Sequence, residues 1–558
     1  MKASNRRIRL VLSVFALAFA ALFLRAAWLQ GVRAGSYERL ASVQHRATIV
    51  DPAGRGTIFD RTGVQLAIGR QATTVYANPL QIRDPAATAE LVSRTLRLDP
   101  DQVLRQLSDR SHGFVYIARK IDPTRAAILE RAKIAGLGFV SEEQRVYPLK
   151  HVGAQVVGYA GTDNHGLAGI ELGLEGKLAG KPGRETVIRD PTGRPIDVLH
   201  STPAREGQNV TLTLDHTIQA QAEAVLRRTI DQWHAKGASA IVLDPRTGGV
   251  LAMAVERGYD ANRFPIVPKD RQRNRTVTDT YEPGSTFKIV TVSAVLSEGL
   301  VTPQSAFTLP YSIHVADRII HDAHPRGTER MTVDQILSQS SNVGTITLAE
   351  QLGAQRLSQW ISRFGFGHLT GIDFPGETPG IVPALDHWSG STIGTLPIGH
   401  GIAITPVQMA AAYGVVANDG VWVRPHLVER VGTGVRAPAA SRRVVTPRVA
   451  HQMLEMMRDV VLEGTGQEAA LPGYQVAGKT GTAAKPDPSG GYSTTRYVAS
   501  FVGIVPATNP RLVILVTVDE PDTIWGGVVA APAFQQIAGF DLQYLEIPPD
   551  APETLPAQ

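Results

Sequence analysis

Glu282-Pro283-Gly284-Ser285-Thr286-Phe287-Lys288-Ile289-Val290 is the stretch on which the reading of this chain turns. Pro283-Gly284 interrupts what precedes it. The apolar-rich run that follows (Phe287, Ile289, Val290, Val292, Ala294, Val295) marks a helix start with Ser285 in the first turn. Positions three apart share a helix face, so the spacing predicts Lys288 within reach of the Ser285 hydroxyl. Serine is a poor nucleophile without a neighbouring base. Lysine is a poor base at its reference pKa of about 10.4, because neutralising it at pH 7 costs roughly 4.6 kcal/mol. A site that uses this pair must lower that value by burial or by a second cation, and Lys479 is the candidate for the latter. Alone, a Ser-x-x-Lys string is expected about once by chance in a chain of this size and is most often an exposed helix turn.

Two further strings give it company. Ser340-Ser341-Asn342 lies 55 residues after Ser285 and by itself would be read as a polar loop. Lys479-Thr480-Gly481-Thr482 follows Gln475-Val476-Ala477-Gly478, an edge-strand-like segment. Glycine there lets a ligand backbone approach closely enough to add as a strand, and Lys479, Thr480 and Thr482 offer a charge and hydroxyls to a terminal carboxylate. Without the others, Lys-Thr-Gly is a plain turn.

Outward from these strings, the chain is long enough, at 558 residues, for two or three domains. A hydrophobic share of 43% and a charged share of 19% are those of a globular protein. The net charge of +5 comes without a basic block, so no nucleic-acid groove is expected. The absence of cysteine excludes disulfides, thiolate metal sites and a Cys nucleophile. No metal and no cofactor are expected. Lys2, Arg6, Arg7 and Arg9 precede an apolar run over 10–29, about 30 Å as a helix and one hydrocarbon core thick. Arg25 can snorkel and Trp28 suits an interface, so the reading is a membrane anchor with residues 1–9 cytoplasmic and the remainder extracytoplasmic. The alternative is a cleaved signal peptide with Ala18-Phe19-Ala20 as a poor cleavage site.

Residues 40–205 read as a mixed α/β module. In Arg55-Gly56-Thr57-Ile58-Phe59-Asp60-Arg61-Thr62-Gly63, a strand at Ile58-Phe59 meets a turn at Thr62-Gly63, and Asp60 is expected to pair with Arg55 or Arg61 in a structural role. Gly207-Gln208-Asn209 marks a boundary, followed by a strand over 210–214 and a helix over 218–228 capped by Asp215. Residues 238–243 and 250–255 predict one hairpin, and 498–505 and 512–518 a second, with helical patterns between. That order argues for an α+β domain over 206–547, an antiparallel sheet covered by helices. The Pro-rich stretch 548–558 reads as a disordered tail.

The three strings together resemble the motif set of penicillin-binding proteins and serine β-lactamases, and the whole chain is similar to the class B, division-type (FtsI-like) peptidoglycan transpeptidases. Arg55-Gly56, Arg145-Val146-Tyr147-Pro148 and Gly169-Ile170-Glu171 resemble the boxes of the class B pedestal, a non-catalytic, dimerisation-type module. The resemblance implies the penicillin-recognising transpeptidase fold. It implies that Ser285 is the nucleophile, Lys288 and Lys479 its cationic partners, and Ser340 a proton shuttle. It also implies that Asn342 bonds the substrate carbonyl and Lys288, that Thr480, Gly481 and Thr482 bind the substrate, and that the Ser285 and Thr482 amides form the oxyanion hole. Ser341 is assigned no chemistry. Gly399-His400-Gly401-Ile402 and Phe364-Gly365-Phe366-Gly367 are read as scaffold around the cleft.

The implied substrate is a peptidoglycan stem peptide ending in D-Ala-D-Ala, with β-lactams acylating the same serine. The implied partners are the membrane, a glycan polymerase of the FtsW/RodA type and other divisome proteins. The string Thr74-Val75-Tyr76-Ala77-Asn78-Pro79 resembles division types, with an elongation role as the alternative. A β-lactamase or carboxypeptidase, and a non-catalytic β-lactam sensor, are the competing classes. The anchor, the pedestal boxes and the intact motifs weigh against both.

Overall fold

The computed structural model describes residues 2–33, 35, 46–189, 195–434 and 436–551. They divide into two compact units, one of residues 1–54 with 180–207 and one of 55–179 with 208–558. In the first unit the helix Lys2–Ala27 runs into a π-helical turn over Trp28–Val32. Its stretch Arg6–Val32 is long and apolar enough to cross a membrane by length and composition. Its apolar side chains, Leu10, Phe15, Phe19 and Phe23 among them, are exposed. The Arg25 and Arg33 guanidinium groups lie 4.8 and 4.4 Å from the Trp28 ring centre, the cation–π geometry that suits an interfacial aromatic. Three antiparallel strands, Arg46–Asp51, Gly183–Arg189 and Pro195–Thr202, complete this unit.

Among the described residues, the second unit contains four two-stranded sheets and two large ones. One is built on the long strand Gln65–Ala77, which pairs with Leu137–Val146, with Val115–Ile121 and, at its start, with Ile58–Phe59. Val75, Ala77, Ile117 and Leu129 face a small core under the helices Pro85–Leu96, Pro100–Ser108 and Pro123–Arg131. Each of these helices starts with an Asp N-cap followed by Pro, which supplies an acceptor for free amides and a preset φ. The sheet does not stop at the expected boundary near residue 206. Val210–Leu212 pairs in parallel with Ile58–Phe59 and antiparallel with Val428–Val431, so two strands from beyond that boundary extend the pedestal sheet.

The three pedestal boxes meet at one buried carboxylate. Arg55 Nε and Arg145 Nε each donate to Glu171 at 2.6 Å, and Arg55 Nη1 reaches Glu175 at 2.6 Å. The Tyr147 hydroxyl adds a bond to Glu171 at 3.3 Å. The pairing expected for Asp60 is therefore corrected. Asp60 takes neither arginine but accepts from His216 Nδ1 at 2.6 Å and from Thr62 and Val64, while Arg61 bonds Asp215. The reason is topological: the strand–turn at Ile58–Gly63 faces the start of the helix at His216, and Arg55 lies on the other side, toward Glu171. Asp60, Asp215 and His216 have ligand-like spacing. Their carboxylates are already occupied by these donors and by the helix amides of Thr217 and Ile218.

The second sheet is five-stranded and antiparallel: β1 (Gly237–Leu243), β2 (Val250–Glu256), β3 (Ala477–Pro486), β4 (Tyr492–Val505) and β5 (Leu512–Asp519), in the order β2-β1-β5-β4-β3. Both faces are covered. Ile514, Val516 and Phe501 pack against helices α1 (His216–Trp233) and α6 (Gly526–Tyr544). Val513, Leu515 and Val502 face α2 (Lys288–Ser297), α3 (Asn342–Leu352), α4 (Pro406–Ala417) and α5 (Pro447–Leu462). Burial on both faces is why these strands read as continuous apolar runs rather than alternating ones. The observed hairpins extend those expected by a few residues. The strand expected over 210–214 ends at Leu212, and the capped helix runs on to Trp233. The start of the expected disordered tail is also corrected: Asp550 accepts from the Gln475 and Thr508 amides, which fixes residues 548–551 beside the sheet. Residues 552–558 lie outside the described residues.

Candidate active site

β3 is the edge of the five-stranded sheet, so its outer backbone groups are open to an added strand. It runs directly against the turn that carries Ser285. That turn is a 3-10 segment, Gly284–Phe287, leading into α2. Gly284 has φ +54, and a Cβ there would lie 2.5 Å from the Thr482 carbonyl oxygen, so only glycine allows the first and third strings this approach. Gly399, at φ +80, meets Gly284 from the other side, accepting its amide at 3.1 Å. Tyr413 donates to the Thr286 carbonyl at 3.0 Å, and Phe287 packs on Phe366 with ring centres 5.0 Å apart. The glycine-rich strings read as scaffold are thus in contact with the turn that carries Ser285.

Lys288 is fully buried. Its Nζ donates to the Ser340 carbonyl at 2.6 Å, to Ser340 Oγ at 3.2 Å and to Asn342 Oδ1 at 2.8 Å. These three bonds point to the second string and none to Ser285, a difference from the expected direct pairing. Ser340 has φ +60, a left-handed conformation that costs a non-glycine residue on the order of 1 kcal/mol and turns its carbonyl onto the lysine. Lys479 is also fully buried, with Nζ 3.3 Å from Thr480 Oγ1. Burial pushes its pKa down to about 7. Lys288 is held well below the ordinary lysine value by burial first and by the Lys479 charge second, with Asp322 opposing. The two hydroxyls expected to face a carboxylate are already engaged. Thr480 Oγ1 shares a bond with Thr465 Oγ1 at 2.8 Å, and Thr482 Oγ1 donates to the Ile524 carbonyl at 3.0 Å.

One residue absent from the sequence reading organises the second string. The buried Asp322 carboxylate accepts from the Asn342 amide at 2.6 Å, the Val343 amide at 3.0 Å and Ser341 Oγ at 3.0 Å, and it pairs with Arg326 at 2.6 Å. It thereby caps the start of α3 together with Ser341, whose Oγ accepts from the Gly344 amide. Ser341 is a cap residue, which explains a serine in the middle of the string. His400 sits at the rim, bonded to Glu282 at 3.1 Å. Tyr492 donates to the same carboxylate at 2.9 Å.

A serine at the start of a buried helix, two buried lysines and an open strand edge define an acyl-transferase built for peptide-like substrates. Residues 238–539 match the model for the penicillin binding protein transpeptidase domain and 50–212 that for the penicillin-binding protein dimerisation domain. The chain is 33% identical to the peptidoglycan D,D-transpeptidase FtsI of Escherichia coli K12, over 98% of this chain and 93% of that one. It is 35% identical to the penicillin-binding protein PbpB of Mycolicibacterium smegmatis, over 98% and 91%. The crystal structure of penicillin binding protein 3 from Mycobacterium tuberculosis, complexed with aztreonam, superposes with a TM-score of 0.72 at 33% identity, covering 91% of this chain and all of that one. The chain belongs to the class B penicillin-binding protein transpeptidases.

Proposed function

We propose that Ser285 is the nucleophile of this peptidoglycan D,D-transpeptidase and that Lys288 is its base. The observation that carries the assignment is the direct bonding of buried Lys288 to Ser340 and Asn342 beside the Ser285 turn. Ser285 Oγ attacks the carbonyl carbon of the penultimate D-Ala while its proton passes to the uncharged Lys288 amine. The C–N bond breaks and the terminal D-Ala leaves as an amine, protonated through Ser340. The acyl-enzyme ester is then attacked by an amine of a second stem peptide, whose proton returns through the same groups to Ser285. Asn342 holds the donor peptide carbonyl, and Lys479 with the Thr480-Gly481-Thr482 strand holds the terminal carboxylate. The amides of Ser285 and Thr482 receive the oxyanion, where one lost donor typically costs about 2.7–4 kcal/mol. Water must compete poorly with the acceptor amine.

This division of labour makes a pH prediction. Lys288 must be uncharged to act, so acylation rises with pH through its depressed pKa. Lys479 is charged below about 7 in the free enzyme, so attraction to a carboxylate weakens as pH climbs past that value. Stopped-flow acylation by a carboxylate-bearing β-lactam should give a bell-shaped second-order rate constant. The descending limb should vanish for the methyl ester of the same compound.

The helix Arg6–Val32 serves as the membrane anchor in this reading, with the catalytic unit extracytoplasmic. A polymerase of the FtsW/RodA type would supply the glycan strands at the division septum. Depletion of the protein in its host is expected to produce filaments; rounded cells would assign it to elongation instead.

A further inference from the structure

On the exposed face of the pedestal sheet, opposite the core under the three helices, three aromatic rings form a continuous surface. Tyr76 stacks on Phe114 with ring centres 5.1 Å apart and planes 29° apart, and Phe114 meets Tyr116 edge-on at 4.8 Å. Phe114 and Tyr116 remain 51% and 48% exposed. Even with Tyr76 stacked on it and Tyr116 set edge-on to it, half of Phe114 is still in water. The alternation of the strand explains the arrangement. Val115 and Ile117 point into the core, which leaves Phe114 and Tyr116 outside, where neither fold stability nor the reaction at Ser285 uses them.

A cavity of about 550 Å³ lies elsewhere, near Lys485, but the charged residues of its lining are largely ion-paired. Phe114, at the end of the row, also lines a pocket of about 280 Å³ together with Val115, Arg105, Gln106, Asp109 and His112. Asp109 and His112 are themselves 3.5 Å apart, and the Arg119 guanidinium lies 5.1 Å over the Tyr116 ring. One phenyl ring and one valine, ringed by guanidinium, amide, carboxylate and imidazole, are not the long aliphatic groove that receives a protein helix. They match a pyranose ring, whose C–H face stacks on an aromatic and whose hydroxyl and acetamido groups need planar donors and acceptors. The pocket is at the small end for ligand sites, the size of one sugar unit, and the ring row beyond it gives a polymer room to continue.

We infer that the pedestal carries a glycan-binding platform centred on Phe114, which takes the N-acetylated amino-sugar backbone of peptidoglycan. The inference rests on the chain being a cell-wall transpeptidase. It would hold the enzyme on the polymer whose peptides it joins, away from the cleft. The test uses the full-length protein in nanodiscs, with two probes: hexameric N-acetylglucosamine in calorimetry, and glycan strands freed of their peptides by an amidase in co-sedimentation. Phe114→Ala and Tyr116→Ala should each weaken binding to both probes at least tenfold, and Phe114→Trp should retain it. Penicillin acylation should stay within twofold of the parent for all three. Unchanged sedimentation of Phe114→Ala, or no heat with the hexamer on the parent protein, overturns the platform. So does a loss confined to cross-linking of a protein partner. Because acylation is read in the same samples, failure of the platform leaves the assignment of Ser285 untouched, and failure of acylation in the parent sinks that assignment separately.

Discussion

Ser285→Ala is expected to eliminate the penicilloyl adduct entirely, seen by intact-protein mass spectrometry as no mass increase where the parent gains one equivalent. The expectation follows from the covalent step, because the ester exists only if Oγ is present. The substitution removes one oxygen from a partly exposed position, so folding should change by no more than about 0.5 kcal/mol, and a matching thermal melt excludes an unfolded control. The parent adduct also decides between two enzyme classes. A transpeptidase holds it long after free drug is removed, whereas a β-lactamase clears it rapidly. An adduct on the alanine variant would place the nucleophile elsewhere and dismantle the proposed site.

The second large effect is expected at Asp322. Replacement by alanine removes the acceptor shared by the Asn342 amide, the Val343 amide and Ser341 Oγ, and leaves Arg326 without its partner. Breaking a largely buried pair of this kind typically costs about 3–5 kcal/mol. Acylation should fall ten- to a hundredfold, because Asn342 and Ser340 lose the cap that orients them. A merely structural role would leave the pH profile in place. Asp322 holds the Lys288 pKa up, so removing its charge lowers that pKa further and shifts the ascending limb of acylation to lower pH. Asp322→Asn, which keeps an acceptor but not the charge, should show the same acid shift with a smaller loss of rate. An unmoved limb in both variants would mean that Asp322 positions the string without tuning the base.

The fold was legible where local chemistry is strong. The two hairpins of the five-stranded sheet announce themselves as β-branched runs around Asp-Pro and Asn-Pro turns. The start of α1 announces itself through Asp215, whose side chain does cap the Thr217 and Ile218 amides. The partners of charged groups were less legible. Asp60 was expected beside Arg55 or its neighbour Arg61 and lies instead against His216, 156 residues on. Arg55 and Arg145, 90 residues apart, share one glutamate. Strand Val210–Leu212 crosses an expected domain boundary because parallel pairing with Ile58–Phe59 is a choice made by topology.

The cleft divides in the same way. The residue types and order of the three strings, the helix start behind Pro-Gly and the apolar N-terminal run are properties of a few neighbouring residues, and the sequence alone determined them. Only the tertiary structure decided that Lys288 bonds Ser340 and Asn342 rather than Ser285, that the Thr480 and Thr482 hydroxyls are already engaged, and that Asp322 caps α3. Those outcomes depend on burial and on which distant segments meet. A lysine's proton affinity is set by how much water and charge surround it, and the chain carries that information only once it is folded.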